Sequence, residues 1–167
     1  MIPCFVWASI LFFLVIIQKT IADVLLFHFI SIDLTMIFVV FAGFNMGVTR
    51  GSILTLWAGF LMSTLTGSVA ALFMCVYMVI FSLSSLVSTR VLVGTSLFIV
   101  CFTTFCAVVE CTLLVAINRY YLGTADVEAM LWALLPQIPI LGIISPFFFR
   151  AFKKIEELVY VRKSQLH

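Results

Sequence analysis

Residues 91–117 read VLVGTSLFIVCFTTFCAVVECTLLVAI, an apolar run interrupted by one acid, Glu110, and by no base. A helix of that length rises about 40 Å at ~1.5 Å per residue, more than the ~30 Å hydrocarbon core of a bilayer. Runs of the same kind fill the rest of the chain. Over its 167 residues 65% are hydrophobic and 10% charged, with a mean hydropathy of +1.31; soluble domains carry roughly 25% charged residues. The expected fold class is therefore an all-α integral membrane protein, a compact bundle of about six transmembrane helices in which each backbone satisfies itself away from water.

Polar punctuation divides the chain into helices at about 3–18, 32–49, 52–66, 68–88, 91–117 and 128–150. The short apolar stretch 24–30 either lies at the interface or extends the second helix. Residues 1–150 form the expected bundle and 151–167 a cytoplasmic tail. The third helix is short for a span, yet 51–88 as one helix would be about 57 Å long, so Thr66-Gly67-Ser68 is the expected break. Ile2–Ile17 reads as a retained first helix rather than a signal peptide, because no basic residue precedes it and Lys19 follows it. Pro136, Pro139, Gly142 and Pro146 crowd the sixth helix, predicting a kinked or broken element.

Charge sets the orientation. With the N-terminus inside, Arg50, Arg90, Arg150, Lys153, Lys154, Arg162 and Lys163 are cytoplasmic, while Lys19 and Arg119 are outside. That bias places both termini in the cytoplasm. Tyr120, Tyr121 and Trp132 read as an outer aromatic belt. In the tail, Phe152, Ile155 and Val159 share a helical face, with Lys153, Lys154, Arg162 and Lys163 elsewhere. This predicts an amphipathic helix on anionic lipid, or a docking surface for a cytoplasmic partner. A net charge of +2 gives no field that points to nucleic acid.

Few residues offer chemistry. Gly43, Gly47 and Gly51 repeat every fourth position and predict a close-packing face on the second helix, inside the bundle or against a partner. Gly59 and Gly67, spaced by Ser63, extend the pattern on the third helix. Glu110 must face the bundle or a cavity, since a carboxyl in lipid is costly. Asn45, Thr64 and Thr66 are candidate partners, and a neutral acid hydrogen-bonded between helices is the plainest reading. No second acid, His or Lys is recognisable near it, which argues against a proton relay. Asp33 is expected at the outer interface as the N-cap of the second helix. The cysteines Cys4, Cys75, Cys101, Cys106 and Cys111 fall in apolar segments without metal-ligand spacing, and His28 with Asp33 makes no metal pattern. No catalytic cluster, metal or cofactor is expected.

One stretch carries more specific information. Ser31-Ile-Asp-Leu-Thr-Met-Ile, then Gly51 to Gly59-Phe-Leu-Met, then Ser63-Thr-Leu-Thr-Gly-Ser-Val-Ala-Ala-Leu-Phe resembles the bacterial rod-shape-determining MreD family, with a similar layout of short chain, five or six spans and basic tail. Asp33 resembles the acid of that family's Pro-Asp-Leu entry into helix 2, and Gly59 and Gly67-Ser68 the glycines of its Gly-Phe and Ser-Gly-Ser stretch. Two departures stand out: Ile32 replaces the frequent proline, and Leu65-Thr66-Gly67 occupies the region where the family commonly has an acid. The resemblance implies a non-enzymatic scaffold of the elongation machinery in the bacterial inner membrane. Its implied partners are a MreC-like periplasmic coiled-coil protein, a MreB-like actin filament, and the glycosyltransferase and transpeptidase of side-wall peptidoglycan synthesis. The family is also similar to substrate-binding subunits of energy-coupling-factor vitamin transporters, which supports a six-helix bundle without fixing its function.

A scaffold predicts small-residue helix faces and few interior polar groups. A vitamin-binding subunit predicts convergent polar and aromatic side chains in the outer half, for which Glu110, Asn118 and Arg119 are candidates. A proton-moving respiratory subunit needs a chain of buried titratable groups. The sequence favours the first.

Overall fold

The computed structural model describes residues 2–25, 33–67, 70–90, 96–122 and 134–164. They form six helices: α1 (Ile2–Leu25), α2 (Leu34–Asn45), α3 (Val48–Thr66), α4 (Ala70–Ser88), α5 (Ser96–Leu122) and α6 (Gln137–Ser164). Two of them contain segments long and apolar enough to cross a membrane, Ala71–Ser88 and Ser96–Ile117.

The centre of the bundle is α2. Its sequence is apolar on every side, and Thr35 through Gly43 are all buried. An apolar helix without a polar face needs cover all round, and α1, α3, α4, α5 and α6 each pack against it. At 12 residues it is only about 18 Å long, shorter than the expected 32–49. The chain leaves the helix at Met46, which is extended, and Gly47, also extended, opens α3. As a result, Gly43, Gly47 and Gly51 do not share a face of one helix. Gly43 lies against Ser84 and Phe81 of α4, and Gly51 lies under the Phe81 ring. Gly47 sits in the exposed α2–α3 junction with nothing within 4 Å of a built Cβ, so it is no packing glycine.

The α3–α4 hairpin follows the sequence more closely. Gly59 lies against the Met74 backbone on α4, where a Cβ built on it would stand only 2.7 Å from Met74 Cα, room that only a missing side chain provides. The helix ends at Thr66, where Gly67 takes a left-handed φ of 66°. Gly67 therefore ends a helix and touches no neighbour, which corrects its expected part in packing.

Helix α6 departs from the expected broken element. Residues 128–133 lie outside the described residues. Pro136 precedes the helix and Pro139 falls in its first turn, where no backbone donor is needed. Pro146 alone is interior. The carbonyl it leaves without an amide partner is that of Gly142, and the Ser145 hydroxyl donates to it at 2.8 Å. Gly142 in turn gives Thr104 of α5 its space. The tail continues this helix without a break. Phe152 is buried against Trp7, Phe38, Phe41 and Phe148, and Ile155 packs on the same core. The start of the expected lipid-facing stripe is thus a bundle contact. Lys153 and Lys154 are exposed, whereas the side chains of Val159, Arg162 and Lys163 lie outside the described residues.

Contacts between helix ends fix the directions. Trp7 of α1 meets Phe152 of α6, and Ser88 at the end of α4 donates to the Phe44 carbonyl near the end of α2. Phe44 also touches Phe98 at the start of α5 and Phe149 of α6. Each helix therefore reverses the one before it. One end of the bundle is a packed aromatic layer flanked by the exposed cations Arg50, Arg90, Arg150, Lys153 and Lys154, and Arg119 lies at the other end. Large apolar side chains point outward from several helices: Phe13 is 63% exposed, Leu97 71%, Ile143 74% and Phe147 73%.

Candidate functional site

Away from the aromatic layer, polar side chains from four helices converge. Asp33 caps α2, its Oδ1 accepting from the backbone N–H groups of Thr35 at 2.9 Å and Met36 at 3.3 Å. The expected capping role holds, and the Asp33 carboxyl is enclosed by the bundle, only 3% exposed, at the end of α2 away from the aromatic layer. Gln18 of α1 reaches it from one side. Its Nε2 donates to Asp33 Oδ1 at 3.3 Å and to the Met62 sulfur of α3 at 3.8 Å, while its Oε1 accepts from the Thr35 hydroxyl and N–H, each at 3.1 Å. From α4 the Tyr77 hydroxyl donates to Asp33 Oδ2.

Glu110 of α5 completes the cluster. It is fully buried, and its carboxyl faces that of Asp33. Neither Glu110 oxygen meets a donor among the described residues. The expected partners serve elsewhere: Asn45 Nδ2 donates to its own helix at Phe41 O, Thr64 likewise to Phe60 O, and Thr66 is exposed. Cys106 and Cys111 flank Glu110 on α5, and Gln137 at the start of α6 approaches the Cys111 sulfur at 4.0 Å. Gln137 Oε1, Thr55 Oγ1 and Thr103 Oγ1 are further buried oxygens without a partner among the described residues.

The structure thus joins two acids that the sequence presents separately, and it overturns the expectation that no second acid lies near Glu110. Gln18, Thr35 and Tyr77 were not recognised. For Tyr77 the signal is a polar group in the middle of an apolar segment, which in such surroundings needs a partner; Gln18 and Thr35 lie at segment ends and give no such signal. Of the expected aromatic belt Tyr120 is exposed; the side chains of Tyr121 and Trp132, and His28 altogether, lie outside the described residues.

The cluster ties α1, α2 and α4 to one carboxyl and sets α5 against it. It is able to hold the helices in register and to hold a proton. Compared with family models, curated proteins and solved structures, the chain matches none.

Proposed function

We propose that this chain is a multi-pass protein of the bacterial inner membrane, with both termini in the cytoplasm. In this reading it is a non-enzymatic scaffold of the cell-elongation machinery, coupling MreC-like and MreB-like partners to side-wall peptidoglycan synthesis. The observation that carries it is the outward-facing apolar surface. Side chains such as Phe13, Leu97, Phe105, Ile143 and Phe147 stand exposed on α1, α5 and α6, far more than water tolerates and what lipid or a partner helix accepts. In this reading the outer helix faces are the working surface. The resemblance to the MreD family covers about residues 8–118, and the described parts of the stretches that carry it lie in α2, α3 and the start of α4. Gly43, Gly51 and Gly59 are used within the bundle against α4.

A second reading, the substrate-binding subunit of a vitamin transporter, is favoured by the convergence of Gln18, Asp33, Tyr77 and Glu110 in the half opposite the cationic end. The test is purification in mild detergent through a tag on the tail. Co-purification of a periplasmic coiled-coil protein with wall-synthesis enzymes is the expected result. Recovery of ATPase subunits with a coupling membrane protein would replace the scaffold with the transporter.

A further inference from the structure

The hydrogen-bond inventory of the two facing acids is lopsided. Asp33 receives the N–H groups of Thr35 and Met36, the Gln18 amide and the Tyr77 hydroxyl. Among the described residues no donor reaches Glu110, although both its oxygens are buried. Two carboxylates are acceptors only, so their contact is a hydrogen bond only if one of them carries a proton. Like charges that share a buried site do not both ionise. We propose that Glu110 carries this proton and donates it to Asp33, so that the pair is a proton-binding site in the interior of the protein.

The surroundings agree from every side. Among the described residues, the titratable groups facing Glu110 are Asp33 from α2, Tyr77 from α4, and Cys106 and Cys111 from α5 itself. Helices α1 and α6 bring the uncharged amides of Gln18 and Gln137, and α3 brings Met62. Every described Lys and Arg side chain is exposed, so none of them neutralises the pair. Asp33 already accepts from four donors and caps the positive end of the α2 dipole, whereas Glu110 meets no donor among the described residues. With the proton bound, the pair holds one charge and one strong hydrogen bond between α2 and α5. Without it, two charges face each other across that contact. Occupancy of the site therefore governs how α5 seats on α2.

Infrared spectroscopy of the full chain in detergent at neutral pH tests this through the C=O stretch of a protonated carboxyl, recognised by its shift in D2O. The band is expected in the unmodified chain, lost in Glu110→Gln and retained in Asp33→Asn. Labelling with carboxyl-13C glutamate should move the band and labelling with 13C aspartate should not, a readout that survives if a variant fails to fold. Absence of the band, its movement with aspartate label, or its persistence in Glu110→Gln overturns the proposal. Loss of the band on adding sodium would also overturn it, by replacing the proton with a cation.

Discussion

Glu110 and Asp33 differ in what surrounds them rather than in chemistry, and substitutions at Glu110 separate its shape from its proton. Glu110→Gln keeps the volume and supplies an N–H that donates to Asp33. Its thermal unfolding in detergent should stay within about 1 kcal/mol of the unmodified chain. Glu110→Leu removes the donor to a buried charge, and hydrogen bonds to charged groups are worth about 1.5–3 kcal/mol, so it should be clearly the less stable. Equal and complete loss in both variants would show that assembly needs the proton itself rather than a hydrogen bond. Each acid was recognisable in the sequence, Asp33 as a cap before an apolar run and Glu110 as a lone acid within one. Their meeting was not, because it depends on how α2, α4 and α5 pack. Tyr77 and Gln18 escaped because an apolar pattern absorbs a tyrosine and treats a terminal glutamine as a boundary.

At the scale of elements, the number and order of the helices were readable, but several of their lengths and the α2–α3 junction were not. Glycines four apart read as one helix face, and no residue type marks the extended Met46. The Gly67 break was readable, because a left-handed residue favours glycine. These two kinds of glycine give opposite expectations. Gly59→Leu drives a side chain into the Met74 backbone, and backbone gives way only by moving the helix. It should lose about 1–3 kcal/mol or more and lower the yield of folded protein. Gly47→Leu meets open space at an ordinary φ of −62°, so its unfolding midpoint and yield should change little, with an effect below about 1 kcal/mol. A clash at Gly47 as severe as at Gly59 would mean that the junction packs against another helix or subunit.

At the scale of the molecule, a buried helix too short to cross a bilayer is sandwiched between longer ones. About 18 Å of α2 cannot meet both faces of a ~30 Å core. The other five helices pack against its sides, the cover that an apolar helix too short to span needs among longer ones. Alternation of direction bears on the orientation expected from charge. Trp7 stands beside Phe152, so α1 begins and α6 passes on the same side, the side that also bears Arg50, Arg90, Arg150, Lys153 and Lys154. If the bundle lies in a membrane, retention of cations on the cytoplasmic face puts both chain ends there. A fluorescent protein fused to either terminus should fluoresce, and alkaline phosphatase should be active when inserted between α1 and α2, between α3 and α4 or between α5 and α6, and inactive at either terminus. Phosphatase activity at one terminus alone would require an odd number of crossings and dismantle the antiparallel arrangement. Replacing Arg50 and Arg90 with alanine should weaken the bias and yield a mixed population, because the remaining cations then act only through the last helix.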